Sequence, residues 1–316
     1  MKWSTEVPIT PADKPLDYSG AILLLGSCFA ASMGEKLGYY QFRHCTNPFG
    51  VIYHPAPLLA LLQRARDNRD FGESDLFCHQ GLWRSLWAHS SLAKPEKEDA
   101  LAALNQALHQ LRAALSSSTH VVLTLGSARG YRHRESGMLA ANCQKLPASH
   151  FERELSTHSE VAGFVDAMLG ILRGFRPDIR CILTVSPVRH IRDGLVANQL
   201  SKALLVAAAH EVCTSGGAGY FPAYEILLDE LRDYRFYDRD LVHPNQVAVD
   251  YIWERFAGAW IAPGAHSDMQ EVEAVRKGLA HRPMHPDSET YRSFRTSLEA
   301  RIAYLKERHP HMDFEI

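Results

Sequence analysis

The sequence predicts a three-layer α/β/α protein built on a flavodoxin-like sheet of five parallel strands. Three observations carry that reading. Short, continuous apolar runs close on glycine or serine at residues 21–25 before Gly26, 121–125 before Gly126 and 180–185 before Ser186, as expected of strands buried on both faces. Segments of helical period separate these runs. Strand and helix therefore alternate strictly, and parallel neighbours require such intervening crossovers.

In chain order, residues 21–25 form the first strand and 30–40 the first helix, with Met33 and Leu37 on one side. An extended piece at 41–45 leads into Asn47-Pro48-Phe49-Gly50, a turn signature. Residues 57–66 read as a helix with proline in its first turn. Residues 67–92 lack a clear period but hold Trp83 and Trp87, which suggests an ordered insertion. An amphipathic helix at 96–115 and a strand at 121–125 follow, then a polar hairpin excursion at 131–147 and a helical region at 151–173. The strand at 180–185, the helix at 195–213, the extended piece at 219–224 and the helix at 244–260 complete the sheet. Residues 1–262 are thus expected to form the main domain. Residues 263–316, charged and helical at 272–279 and 291–306, are expected to be a helical extension packed on it.

Of the 316 residues, 46% are hydrophobic and 22% charged, which suits a globular chain with a sizeable core. A net charge of -2 argues against nucleic acid or an anionic membrane as the main partner. No apolar run nears the roughly 20 residues that span a bilayer, and the first residues lack the apolar centre of a secretion signal. A cytoplasmic location is expected. Six cysteines (Cys28, Cys45, Cys78, Cys143, Cys181 and Cys213) show no C-x-x-C pair and read as reduced, mostly buried thiols. The 17 histidines form no metal-binding signature, so structural zinc is not expected.

In open parallel sheets the ligand crevice lies beyond the carboxyl ends of the strands. Ser27 stands there, after the first strand and Gly26 and just before a helix, whose free amides favour a developing oxyanion. Serine is also a favoured helix cap, and position alone does not separate capping from catalysis. Asp240-Leu241-Val242-His243-Pro244-Asn245 is the second informative segment. A carboxylate three residues before a histidine on a tight turn can hold the imidazole Nδ1, freeing Nε2 to take a proton. Pro244 suits the first position of the next helix. A solvated capping cluster is the bland alternative.

Gly26-Ser27-Cys28-Phe29-Ala30 spells the signature of the GSCFA family, which resembles the SGNH hydrolases. The similarity extends through Asn47-Pro48-Phe49-Gly50, Asn142-Cys143-Gln144-Lys145-Leu146-Pro147, Ser186-Pro187-Val188-Arg189-His190 and Asp240-Leu241-Val242-His243-Pro244, in that order. The resemblance implies Ser27 as nucleophile, with Asp240 and His243 completing a triad. It implies an oxyanion hole from the backbone N–H groups of Ser27 and Gly50, Gly50 reading equally well as a turn glycine. The asparagine that SGNH enzymes present after the third strand is missing, because Gly126-Ser127-Ala128-Arg129 stands there. Asn142 is the candidate replacement, with a plain turn residue as its rival. Gln144 occupies a position where the family carries histidine, which leaves its role open.

Arg189, His190 and Arg192 follow a strand end at the same edge and are candidates for holding an anionic substrate group. His89, beside Trp87, is a candidate pocket wall. Cys28 is a possible reactive thiol, but its side chain is expected to point away from that of Ser27 and to be buried against the sheet. The function expected is a serine esterase or deacylase working through an acyl-enzyme on a small-molecule or acylated-carbohydrate substrate. No metal or organic cofactor is called for. Acyl transfer to a carbohydrate or peptide hydroxyl, or a binding module with a vestigial triad, are the alternatives.

Overall fold

The computed structural model describes residues 5–285 and 287–314. Chain order gives β1 (Ala21–Gly26), α1 (Cys28–Tyr39), β2 (Arg43–Thr46), α2 (Pro55–Arg66), a hairpin of β3 (Phe77–His79) and β4 (Leu82–Arg84), then α3 (Lys97–Ser117) and β5 (His120–Leu125). A second hairpin pairs β6 (Arg129–His133) with β7 (Phe151–Leu155). It is followed by α4 (His158–Phe175), β8 (Arg180–Val185), α5 (Leu195–Thr214), β9 (Gly219–Tyr220) and a short α6 (Ala223–Glu225). Helices α7 (Gln246–Trp260), α8 (His266–Ala280) and α9 (Glu289–Arg308) end the chain. Strands β2, β1, β5, β8 and β9 lie side by side in that order, all parallel. This is the expected three-layer arrangement. No described helix is long and apolar enough to cross a membrane.

The alternation of side chains along each strand divides the core in two. Leu23, Leu25, Val121, Leu123, Leu125, Leu183 and Val185 face one layer, packed against α2, α3, α4 and α5. Ile22, Leu24, Val122 and Ile182 face the other, against α1 and α7. Leu298, Ile302 and Leu305 of α9 and Val272 and Val275 of α8 belong to this second core. The C-terminal helices therefore pack on the main body through apolar side chains.

Four expectations are corrected. Residues 151–155 are strand β7, not the start of a helix, and the Thr157–Glu160 capping box begins α4 only afterwards. Of residues 219–224, only Gly219–Tyr220 pairs with β8, since Pro222 has no N–H to continue a ladder. Asn245 caps α7, its side chain accepting the Ala248 N–H at 3.1 Å, so Pro244 precedes the helix instead of opening it. Finally, only Cys181 is buried; Cys78, on the β3–β4 hairpin, is exposed and the other four thiols are half-buried, all six being free.

The insertion at 67–92 is held by Arg64 of α2. Its buried guanidinium pairs with Asp75 at 2.6 Å, donates to the carbonyls of Arg69 and Asp70, and lies 3.8 Å from the Phe71 ring centre. Opposite it, His54 caps α2. Its Nδ1 accepts the Ala56 N–H at 3.1 Å, so Nε2 carries the proton toward Ser156 Oγ at 3.2 Å. Burial pushes the His54 imidazole down to about 4.

Because the folded value lies below that of the unfolded chain, the unfolded state binds the extra proton as pH falls from about 6.5 to about 4, and stability falls over that window. This group alone corresponds to a loss on the order of 2–3 kcal/mol. Urea unfolding of His54→Asn, which keeps a capping side chain, is expected to show a smaller decline across the same window. An equal decline in both proteins would remove His54 as its source.

Candidate active site

The exit from β1 fixes the geometry of the crevice. Gly26 has φ near +130°, and a Cβ there would sit 2.1 Å from the Thr124 carbonyl oxygen of β5, so no side chain fits. Its N–H donates to Asn47 Oδ1 at 2.8 Å, and its carbonyl accepts the Ile52 N–H at 2.9 Å. The Ser27 N–H donates to the Thr124 carbonyl at 3.1 Å, extending the β1–β5 pairing by one residue. Ser27 consequently has no exposed surface. Its hydroxyl accepts the Phe29 N–H at 3.3 Å as the α1 cap, and it makes no hydrogen bond to His243.

Cys28, the first residue of α1, is half-buried rather than sealed. It packs against the second core, as expected, and what departs from the expectation is that Ser27 is the more deeply buried of the two. Burial pushes the Cys28 thiol up, partly opposed by the amides of Cys28 and Phe29 and by the Lys202 ammonium. The Asp240 carboxylate acts on it in the upward direction, and Cys28 in turn acts on the Tyr53 phenol. Cys28, Tyr53, Lys202 and Asp240 thus share one electrostatic neighbourhood.

Asp240 and His243 meet as expected. Asp240 Oδ2 lies 2.6 Å from His243 Nδ1, while Oδ1 accepts the N–H groups of Val242 (2.9 Å) and His243 (3.0 Å). One carboxylate oxygen shapes the turn and the other sets the tautomer, placing the imidazole proton at Nδ1 and a lone pair at Nε2. The backbone bonds from His243, then the imidazole itself, hold the Asp240 carboxyl down to about 2, so it is ionised at neutral pH. Leu241, at φ 57°, makes the tight turn. The loop is fastened to the neighbouring strand end by the Arg189 N–H, which donates to the Val242 carbonyl at 3.1 Å. Both side chains of the dyad are about half exposed, at 49% for Asp240 and 47% for His243.

The oxyanion donors expected from the sequence are occupied. The Ser27 amide is spent on Thr124, and the Gly50 amide closes its own turn onto the Asn47 carbonyl at 2.7 Å. Gly50 is glycine for two reasons: φ is +74°, and a Cβ would fall 2.4 Å from His89 Cβ. Asn142 makes a local turn, its Oδ1 accepting the Gln144 N–H at 2.8 Å. Gln144 is buried and donates to the carbonyls of Ser85 and Ala88, tying this loop to the insertion. His89 caps a short helical turn through Nδ1 and lies outside the cavity wall described next.

A cavity of about 330 Å³ opens beside the dyad, lined by His243, Val242, Tyr53, Arg129, Arg189 and His190 among others. Burial, with the charges of Lys202 and His243, pushes His190 down to about 3 and leaves it neutral. Lys202 of α5 is fully buried at the ends of β5 and β8, donating to the carbonyls of Gly126 (2.8 Å) and Ser186 (2.7 Å), and burial pushes it down to about 7.

Three site residues escaped the sequence reading. Asn47 looked like a turn residue, and its clamp on Gly26 is a tertiary contact that no local pattern reveals. Arg129 stood where an asparagine was sought. Lys202 left a readable trace, as a lone charge on the helical stripe Asn198, Lys202, Leu205 and Ala209 whose other members are buried.

The GSCFA family matches residues 21–256, and the C-terminal domain of GSCFA domain proteins matches residues 272–315. No curated protein matches the chain. Among solved structures, one crystal structure is 12% identical with a TM-score of 0.38, covering 77% of this chain and 97% of its own. An acetyl esterase, a serine-to-alanine mutant with acetate ion, is 10% identical with a TM-score of 0.36, covering 80% and 99%. With the family signature spanning strands β1 through β9 and helix α7, the chain belongs to the GSCFA family.

Proposed function

We propose that this chain is an acyl hydrolase in which His243, oriented by Asp240, activates a nucleophile at the start of α1. The observation that carries the reading is the Asp240–His243 dyad, with its Nδ1 held at 2.6 Å and its ring on the wall of the cavity. A carboxylate that fixes the tautomer leaves Nε2 as the base, which is the division of labour nucleophilic hydrolases require.

Of the two adjacent nucleophiles, accessibility and electrostatics favour Cys28. Ser27 is sealed and its hydroxyl is committed to the helix cap. Cys28 is partly open and shares the electrostatic field of Asp240 and Lys202. Since burial holds the thiol protonated, His243 would remove its proton as the sulfur attacks, giving a thioester that water then cleaves. The oxyanion donors move with the nucleophile. The Cys28 amide lies in the first turn of α1, where the N–H has no intrahelical acceptor, and it supplants that of Ser27. The half-exposed dyad leaves water access to the intermediate, which favours hydrolysis over transfer to an acceptor.

Brief treatment with 4-nitrophenyl acetate in a Cys78→Ala background, which removes the exposed thiol, is expected to give one acetyl adduct by intact mass. That adduct should survive Ser27→Ala, vanish in Cys28→Ala and be released by neutral hydroxylamine, as a thioester is. Loss in Ser27→Ala alone would return the role to the serine, and no adduct under any condition would favour a non-catalytic module. Asp240→Asn should lower kcat on the order of 10³-fold through loss of the productive tautomer, with folding intact by circular dichroism. A change below tenfold would remove the dyad from the chemistry.

Lys202 supplies the field behind the thiol, and its protonation is linked to stability. Its folded value near 7 lies below the ordinary lysine value, so the unfolded chain binds more protons between about pH 7 and 10.5. The stability of the protein relative to Lys202→Met is therefore expected to rise over that window, by about 4–5 kcal/mol, when followed by urea unfolding. A gap that stays constant with pH would mean that Lys202 remains charged in the fold.

A further inference from the structure

The cavity beside His243 carries an unusual surplus of positive charge. Arg129, Arg189 and Arg192 all line it. None of the three has a carboxylate within salt-bridge distance among the described residues, whereas Arg64, Arg132, Arg153 and Arg176 each have one. The acidic residue that shares the wall, Asp193, is already paired with Arg153 at 2.8 Å. Arg129 Nε is buried with no hydrogen-bond partner among the described residues, and so is His190 Nε2. Leaving a buried polar group unsatisfied is costly, so two such groups in one small cavity call for a further partner.

The arginines are also held ready. The Arg189 guanidinium lies over the Tyr237 ring at 4.1 Å and that of Arg192 over Tyr131 at 5.6 Å. A guanidinium held against an aromatic ring still presents N–H donors, a fork matched to a carboxylate or phosphate. The volume, about 330 Å³, is at the small end of the range for small-molecule sites. It suits a compact acid better than a long lipid tail.

We propose that this cavity binds an oxyanion, a carboxylate or phosphate, borne by the substrate, with Arg129, Arg189 and Arg192 as its donors and the scissile acyl bond at the His243 wall. The assignment of the acyl bond rests on the hydrolase reading above; the anion site stands on the arginines. His190, neutral and unpartnered at Nε2, adds one uncharged hydrogen bond to the same ligand.

Two esters of equal chain length separate the possibilities: 4-nitrophenyl hexanoate and the mono-4-nitrophenyl ester of adipate. The enzyme is expected to favour the adipate ester at least tenfold in kcat/KM. Arg129→Met should cut that preference about tenfold, and Arg192→Met, at an exposed side chain, keeps the test open if the first variant does not fold. In parallel, calorimetric titration with sodium adipate and with inorganic phosphate reads binding without turnover, and the tighter of the two identifies the kind of oxyanion. Binding of either anion that weakens in the variants, without hydrolysis of any ester, would uphold the anion site and remove the hydrolase reading. Equal turnover of both esters with no binding of either anion would overturn the anion site and leave the hydrolase standing.

Discussion

The reading of this protein turns on how the backbone leaves β1. At Gly26 the chain passes so close to β5 that a Cβ would overlap the Thr124 carbonyl, and Asn47 pins the Gly26 amide from the β2 side. The strand pairing therefore runs one residue further, through the Ser27 amide, before α1 begins. That single extra residue of register decides which side chain is inside. Ser27 turns into the protein as a cap, and Cys28 becomes the first group on the helix with surface of its own. The amides free for an oxyanion shift by the same one residue, since the first turn of a helix leaves its N–H groups without intrahelical acceptors. On the proposed reading, nucleophile and oxyanion donor are both set by this one close approach of two backbones.

Much of this architecture was legible in the sequence, for physical reasons that can be named. Strands buried on both faces must be apolar throughout, so β1, β5 and β8 stood out as unbroken runs. The dyad was legible because its geometry is local. Asp240 and His243 lie three residues apart on one turn, so spacing alone specifies that carboxylate and imidazole can meet. What spacing does not specify is which neighbour of a glycine faces inward. Ser27 and Cys28 are both polar enough to react and small enough to bury, and only the hydrogen bonds to Thr124 and Asn47, residues remote in sequence, resolve them. The same holds for β7, where two acidic residues and an arginine between Phe151 and Leu155 fit helix and strand alike until pairing with β6 selects the strand.

The electrostatics of the crevice show a division between depth and surface. Deep in the protein, Lys202 is held by two carbonyls at the ends of neighbouring strands and is driven toward its neutral form. At the rim, Asp240 stays ionised because three hydrogen bonds, two of them from its own turn, stabilise its negative form. Between them the Cys28 thiol is raised by burial and lowered by its helix amides and by Lys202. A thiol balanced in this way is not a standing ion pair. On the proposed reading, it would give up its proton only to a base such as His243.

If the two proposals hold, the loop from Arg189 to Arg192 serves both binding and catalysis. Its backbone is bonded to the dyad loop through the Arg189 N–H and the Val242 carbonyl, while its side chains line the cavity. An anion held there would act on the segment that fixes where the imidazole stands, through the Arg189–Val242 hydrogen bond. Tyr237 lies on the other side, under the Arg189 guanidinium and next in sequence to Asp238, whose amide donates to the His243 carbonyl. Binding energy gathered at the charged end of a ligand can therefore be spent on holding the base in register, which is how contacts remote from a reacting bond come to act on the rate. The arrangement makes sense of a dyad left half open to water: its geometry is stabilised by the backbone beneath it and by the loop beside it, with no need of enclosure.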